Sequence, residues 1–267
     1  EGATSPTVWP GASRRGRMSG MSRSYPGRAL TRSGSAASLG SPMTSTGRTA
    51  IRAGYVLAFD GRGHRLLRDG VVVIEGDHVL AVGPRFDGHV DETVDARDRV
   101  VTPGLISTHA HIGGSPLDRS FIEDRGNPQF WYSGLFEMLP VRSEAQDDEG
   151  GRACVDFSMP ELLRGGVTTV MEIGGHGEYV VDRAAHYGLR VYVGQAFRSG
   201  RWLTRDGKRT EWEWNEAEGR AGLRRAVEFH ARHDGAHGGL VRCFFAPAQI
   251  DTCTPDLLRE AKRLADD

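Results

Sequence analysis

The sequence predicts an α/β protein whose larger part is about the first four βα units of a (β/α)8, TIM-type barrel. Three observations carry this expectation. Strand and helix patterns alternate from Pro103 to Asp267, the rhythm of parallel βαβ units, whereas the stretch before Pro103 has β texture only. The first strand after Pro103 ends in His109-Ala110-His111, at the end of a strand where barrel active sites lie. A closed barrel takes eight βα units and about 250 residues, and Pro103 to Asp267 supplies 165 residues with four strand–helix units, so about half the barrel is expected.

Taken in order, residues 1–48 are dense in Ser, Gly and Arg, nearly free of acids and without apolar periodicity. Such a stretch buries too little to offset its ordering entropy and is expected to be a disordered leader. Its composition also matches an organelle transit peptide. The chain opens on Glu1, and Met43 stands just before the first strand pattern, so residues 1–42 read best as upstream read-through or a non-native leader. It has no h-region, and secretion is not expected. Residues 49–102 then form a small all-β unit. Ile51–Phe59 is a strand closed by Asp60-Gly61-Arg62-Gly63. Val71–Ile74 and Val79–Val82 flank Glu75-Gly76-Asp77-His78 as a hairpin, and a last strand runs through Thr93–Asp95 to Arg99–Val101.

From Pro103 onward the expected strands are Leu105–Thr108, Val167–Ile173, Leu189–Ala196 and Leu240–Ala246. They should be consecutive and parallel. The helices between them cover about Glu149–Arg164, stopped by Gly165-Gly166, then Glu178–Tyr187 and Asn215–His233. A last helix opens at Thr254-Pro255-Asp256, with an N-cap residue, a proline at N1 and an acid in the first turn. The segment with Trp202, Trp212 and Trp214 reads as a loop. A long loop after His111, carrying Asp118, Glu123, Asp124, Phe130, Trp131 and Glu137, is long enough to be a lid.

Composition narrows the partners. A formal net charge of −1 gives no electrostatic reason to bind nucleic acid or an anionic membrane. No run approaches the roughly 18 apolar residues that cross a bilayer. Cys154, Cys243 and Cys253 are odd in number and outside any C-x-x-C spacing, so they read as free thiols in a reducing compartment, and a cytoplasmic location is expected. The expected partner is a small-molecule substrate, with a homo-oligomer as an open alternative.

His109 and His111 carry the chemistry. Side chains two apart on a strand share a face, so both imidazoles project to one side with small Ala110 between them. Neutral imidazoles converging from one backbone suit Zn²⁺ and similar borderline metals. An isolated H-x-H is common by chance; one that ends an apolar strand after Thr102-Pro103-Gly104 and behind a β-rich unit is specific. Three further residues are candidate substrate contacts: His176 in Gly174-Gly175-His176-Gly177, and Gln195 and Gln249 on or just past strand ends. For each, an ordinary solvent-facing or packing role is the stronger alternative. His230, His233 and His237 crowd a helix end, where the dipole favours surface histidines over a metal site. Asp251 reads as a cap for the turn before the last helix.

The stretch Val71–Gly83, followed by Thr102 to His111, resembles the N-terminal part of the amidohydrolase superfamily. The nearest branch is that of the cytosine deaminase-like and methylthioadenosine/S-adenosylhomocysteine deaminase-like enzymes. Leu162–Val170, Phe245-Ala246-Pro247 and Cys253–Leu258 are similar to later parts of that branch, so the resemblance spans roughly Ala50 to Asp267. It implies a distorted (β/α)8 barrel with a small β-sandwich to which residues 49–102 contribute, residues 103–267 being the N-terminal half of the barrel. It implies His109 and His111 as metal ligands, with the remaining ligands and the general acid/base group expected beyond residue 267. The implied cofactor is one divalent metal ion, Zn first, with Fe, Co or Mn as alternatives. The implied reaction is hydrolysis of a non-peptide carbon–nitrogen bond (amide, urea, carbamate or cyclic amide) by a metal-activated water. Deamination of an aromatic heterocycle is the alternative enzyme reading, and a catalytically silent fragment the alternative outside enzymes.

Two departures from the branch shape these expectations. Two-metal members often carry a carboxylated lysine at the end of strand four, where this chain reads Arg242 to Gln249 without one, favouring a single metal. Nucleoside-type deaminases usually follow the strand-four proline with a substrate-contacting histidine, where this chain has Ala248. That tilts the reading away from purine deamination.

Overall fold

The computed structural model describes residues 47–118, 146–206 and 208–267. Residues 1–46 of the leader, and Glu123, Asp124, Phe130, Trp131 and Glu137 of the anticipated lid, lie outside them, while Asp118 ends a four-residue helix, Ser115–Asp118. The first sheet has the order β3-β2-β1-β4, built from β1 (Arg48–Phe59), β2 (His64–Glu75), β3 (His78–Gly83) and β4 (Glu92–Val101). β1 and β2 pair antiparallel from Arg48 opposite Glu75 to Phe59 opposite His64. Their turn closes because Asp60 Oδ1 accepts the N–H groups of Arg62 and Gly63, each at 3.0 Å, a local bond that favours Asp in turns. The second strand therefore starts at His64, seven residues before the apolar run that announces it. β2 and β3 form the expected hairpin, with Glu75 opposite His78 and Gly76 at φ 60°. Strand alternation sends Val72 into one apolar cluster with Ala53 and Val56, and Val71 and Val73 into another with Ala50. β1 pairs parallel with β4.

The second sheet consists of β5 (Leu105–Ala110), β6 (Val167–Glu172), β7 (Arg190–Phe197) and β10 (Val241–Pro247), adjacent in that order. All three neighbouring pairs are parallel, as strand–helix alternation requires. The intervening helices are α1 (Asp148–Arg164), α2 (Gly177–Tyr187) and α3 (Glu216–His233), and α4 (Pro255–Asp266) follows β10. Their starts and stops are local chemistry. Asp147 accepts the Gly150 N–H at the head of α1, Asn215 accepts the Glu218 N–H at the head of α3, and Gly166 leaves α1 at φ 82°. At α4 Thr254 occupies the N-cap, with Pro255 and Asp256 in the first turn as expected; its hydroxyl makes no cap bond and donates to Glu216 at 3.1 Å.

One face of this sheet carries the core. Val191 and Val193 of β7 alternate with outward Tyr192, and they join Val155 and Met159 of α1, Val180 of α2 and Phe229 of α3 in one buried cluster. A second cluster, with Phe197, Leu223 and Leu257, joins α3 to α4. The tryptophan segment is not a plain loop. It contains an antiparallel hairpin of β8 (Gly200–Leu203) and β9 (Glu211–Trp214), with Trp202 opposite Trp212 and Arg201 paired to Glu213. Asp251, expected to cap a turn, instead accepts the Trp202 indole N–H at 2.9 Å and ties this hairpin to the segment after β10. Among the described residues no helix is long and apolar enough to cross a membrane.

Candidate metal centre

β5 enters the sheet immediately after Pro103-Gly104. Gly104 lies so close to the Thr168 side chain of β6 that a Cβ there would overlap it, so only glycine lets the strand approach at that point. Along β5 Ala110 packs against the helix-side core, and period-two alternation turns His109 and His111 to the opposite face, where both are exposed. Their Nε2 atoms stand 3.3 Å apart, with the rings in an edge-on arrangement. Two nitrogens bound to one tetrahedral Zn²⁺ at about 2.0–2.1 Å would be about 3.3 Å apart. The pair thus fits two vertices of a tetrahedral metal site. Among the described residues no group of three or more His, Cys, Asp or Glu is arranged to hold a metal.

The segment after His111 is held from both sides. Ile112 is buried, its N–H donates to Glu172 Oε2 at 2.6 Å, and its carbonyl accepts the Ser158 hydroxyl at 3.0 Å. Glu172 ends β6, is 1% exposed, and takes its second bond from the Gly174 N–H at 2.6 Å. Burial pushes its carboxyl up to about 7 against the pull of these two donors. Sequence reading passed over Glu172. The available signal was a lone acid closing the uncharged, mostly β-branched strand pattern Val167–Met171, since acids are rarely buried without a reason.

A cavity of about 570 Å³ opens beside His111, lined also by Gly174, Arg198, Phe244, Phe245, Ala248 and Gln249. Gln249 therefore lines the same cavity as His111, with its carboxamide oxygen taken by the Thr252 hydroxyl at 2.8 Å, which leaves its amino group as a donor. Gln195 is half-buried opposite Phe245 in β7 and does not line this cavity. Neither does His176: its backbone is left-handed at φ 63°, its ring packs against Gly151, and Nδ1 is 3.4 Å from Asp148. The helix-end histidines go elsewhere too. His230 packs on Phe245, and His233 sits 2.6 Å from Glu178 and against Phe229. Cys243 has its thiol pushed up to about 11 by burial and the nearby charge of Asp234, which makes it inert as a nucleophile at neutral pH.

The sequence profile described as the Amidohydrolase family matches residues 100–267, from the end of β4 through β5 and onward. The chain belongs to the amidohydrolase family. A 5'-deoxyadenosine deaminase of Methanosarcina acetivorans is 25% identical over 217 residues, covering 80% of this chain and 45% of the relative. A 5-methylthioadenosine/S-adenosylhomocysteine deaminase of Symbiobacterium thermophilum is 28% identical over 224 residues, covering 82% of this chain and 47% of the relative. The chain thus spans about half the length of the curated relatives it matches. Among solved structures, an adenosine deaminase of Xanthomonas campestris with bound zinc has a TM-score of 0.64 at 23% identity, over 82% of this chain and 46% of that one. A triazine hydrolase of Arthrobacter aurescens has a TM-score of 0.64 at 21% identity, over 83% of this chain and 51% of that one. These likenesses establish the fold as that of the family's TIM-type α/β barrel.

Proposed function

We propose that this chain is part of a metal-dependent hydrolase of non-peptide carbon–nitrogen bonds, with His109 and His111 as the first two ligands of one divalent metal. Zn²⁺ is the first choice, Fe, Co or Mn the alternatives, and the bound zinc of the Xanthomonas structure supports it. The observation that carries the reading is the 3.3 Å Nε2 separation at the end of β5. In this reading residues 49–102 contribute to a β-sandwich, residues 103–267 form the first half of the barrel, and the remaining ligands come from outside the described residues.

A metal held there would supply an activated water and polarise the carbon under attack. The chain's own residues bind and orient. His109 and His111 present ring nitrogens from a backbone pinned at Ile112. Phe244, Phe245 and Ala248 offer an apolar wall, and the Arg198 guanidinium and Gln249 amino group offer donors to substrate oxygens or ring nitrogens. With Ala248 beyond the β10 proline, an amide, urea, carbamate or cyclic amide is the substrate class we favour. The deaminase names of the curated relatives support a second reading, loss of ammonia from an aminoheterocycle.

Zn²⁺-loaded protein expressed from its native gene, given hydantoin and 5'-deoxyadenosine in parallel, separates the two. Ring opening without free ammonia is the expected result. Ammonia from the nucleoside would select the second reading, and turnover unchanged by His109→Ala would overturn both.

A further inference from the structure

We propose that Glu172 is a positioning residue for the metal centre, holding the segment after His111 in the direction that converges the two imidazoles. The inference rests on the reading of His109 and His111 as ligands. The carboxylate is 1% exposed, and among the described residues its partners are two backbone N–H groups, those of Ile112 and Gly174, with no cation. Burying an acid without a cation is costly, and two N–H bonds recover only part of that cost. A leucine or methionine at the same place would pack without it, so stability is a poor reason for an acid here.

The geometry supplies a better one. Glu172 Oε2 grips the residue next to His111, while Oε1 grips the loop that follows β6. Gly174 is the hinge that admits this grip: a Cβ on it would overlap Glu172 Oε1 and come within 3.4 Å of the His111 Cα. The carboxylate is therefore wedged against the backbone that aims His111. Both bonds are short, at 2.6 Å, the kind that fixes a direction rather than merely filling space. Partners outside the ligand set commonly alter metal affinity by about 10–100-fold when removed. A glutamine can satisfy only one of the two N–H groups and opposes the other with its own NH₂.

The test is a Co²⁺ titration followed by visible absorption, run on the wild-type chain, Glu172→Gln, Glu172→Asp and Val155→Ala, with thermal unfolding of each metal-free protein. Val155 of α1 is fully buried in the core cluster and carries no polar group, so its truncation reports lost packing. Glu172→Gln is expected to weaken Co²⁺ about ten-fold or more and to shift the absorption bands. Val155→Ala is expected to lower the unfolding temperature with affinity and bands unchanged. Glu172→Asp keeps the charge on a shorter arm and should fall between wild type and Glu172→Gln. If Glu172→Gln does not fold, Glu172→Asp carries the test. Wild-type affinity and spectrum in whichever Glu172 variant folds would overturn the inference, as would an affinity loss in Val155→Ala matching that of the Glu172 variant. A wild-type chain no better than His111→Ala at binding Co²⁺ would overturn the metal reading itself.

Discussion

Two groups of histidines lie within this chain, and they differ in everything except residue type. His109 and His111 share one face of a strand, are exposed, and bring their Nε2 atoms to 3.3 Å. His230 and His233 lie at the end of α3 and turn toward different neighbours, one to Phe245 and the other to Glu178 and Phe229. Spacing by two on a strand makes side chains converge. Spacing by three on a helix allows the same, yet here packing claims each ring separately. A histidine cluster in a sequence thus says little until the backbone that carries it is known.

The largest effect that would sharpen this contrast is on the helix side. Phe229 is 1% exposed, belongs to the main core and lies 4.7 Å from the His233 ring. Phe229→Ala should cost about 3–5 kcal/mol of stability, measured by urea unfolding, while the metal stoichiometry of the folded fraction stays unchanged. Loss of metal in step with that substitution, at denaturant concentrations where the protein remains folded, would break the contrast.

A smaller effect concerns the contact of α1 with α2. Asp156 of α1 accepts from Tyr179 at 2.6 Å and from Arg183 Nε at 2.6 Å. Desolvation pushes this carboxyl up, but those hydrogen bonds and the Arg183 charge outweigh it and leave it below its ordinary value. A carboxyl lowered on folding stabilises above its unfolded value near 3.8 and loses that contribution as pH falls through the folded value. The stability gap between wild type and Asp156→Asn should therefore be full at pH 6 and shrink below about pH 3.8. A gap that is constant across that range would show that the carboxylate charge contributes nothing.

The sequence carried the regular parts of this picture well, for identifiable reasons. The four parallel strands and four helices have strong periodicity and chemically marked ends, such as Asp147, Gly165-Gly166 and Asn215, so their existence and order were legible. The H-x-H pair was legible because strand period alone puts both rings on one face. Three features were not. β2 begins at His64, inside a polar stretch that only its pairing with β1 makes a strand. The β8–β9 hairpin has four-residue strands, too short for a pattern, although Trp212-x-Trp214 hinted at period two. Glu172 escaped because its importance lies in backbone partners 60 residues away and two residues on, contacts that no local pattern encodes. Of the three candidate substrate contacts, the cavity beside His111 takes in Gln249, Gln195 does not line it, and His176 faces Asp148. Loop and strand-end positions alone could not make that distinction.

The most direct test of the account is Zn²⁺ binding by equilibrium dialysis on the wild-type chain, His109→Ala, His111→Ala and His233→Ala. The account predicts that wild type and His233→Ala bind Zn²⁺ alike, and that His109→Ala and His111→Ala each weaken binding by at least about ten-fold, since each removes one of few bonds to the metal. Zn²⁺ binding that survives in both strand variants and disappears in His233→Ala would contradict it.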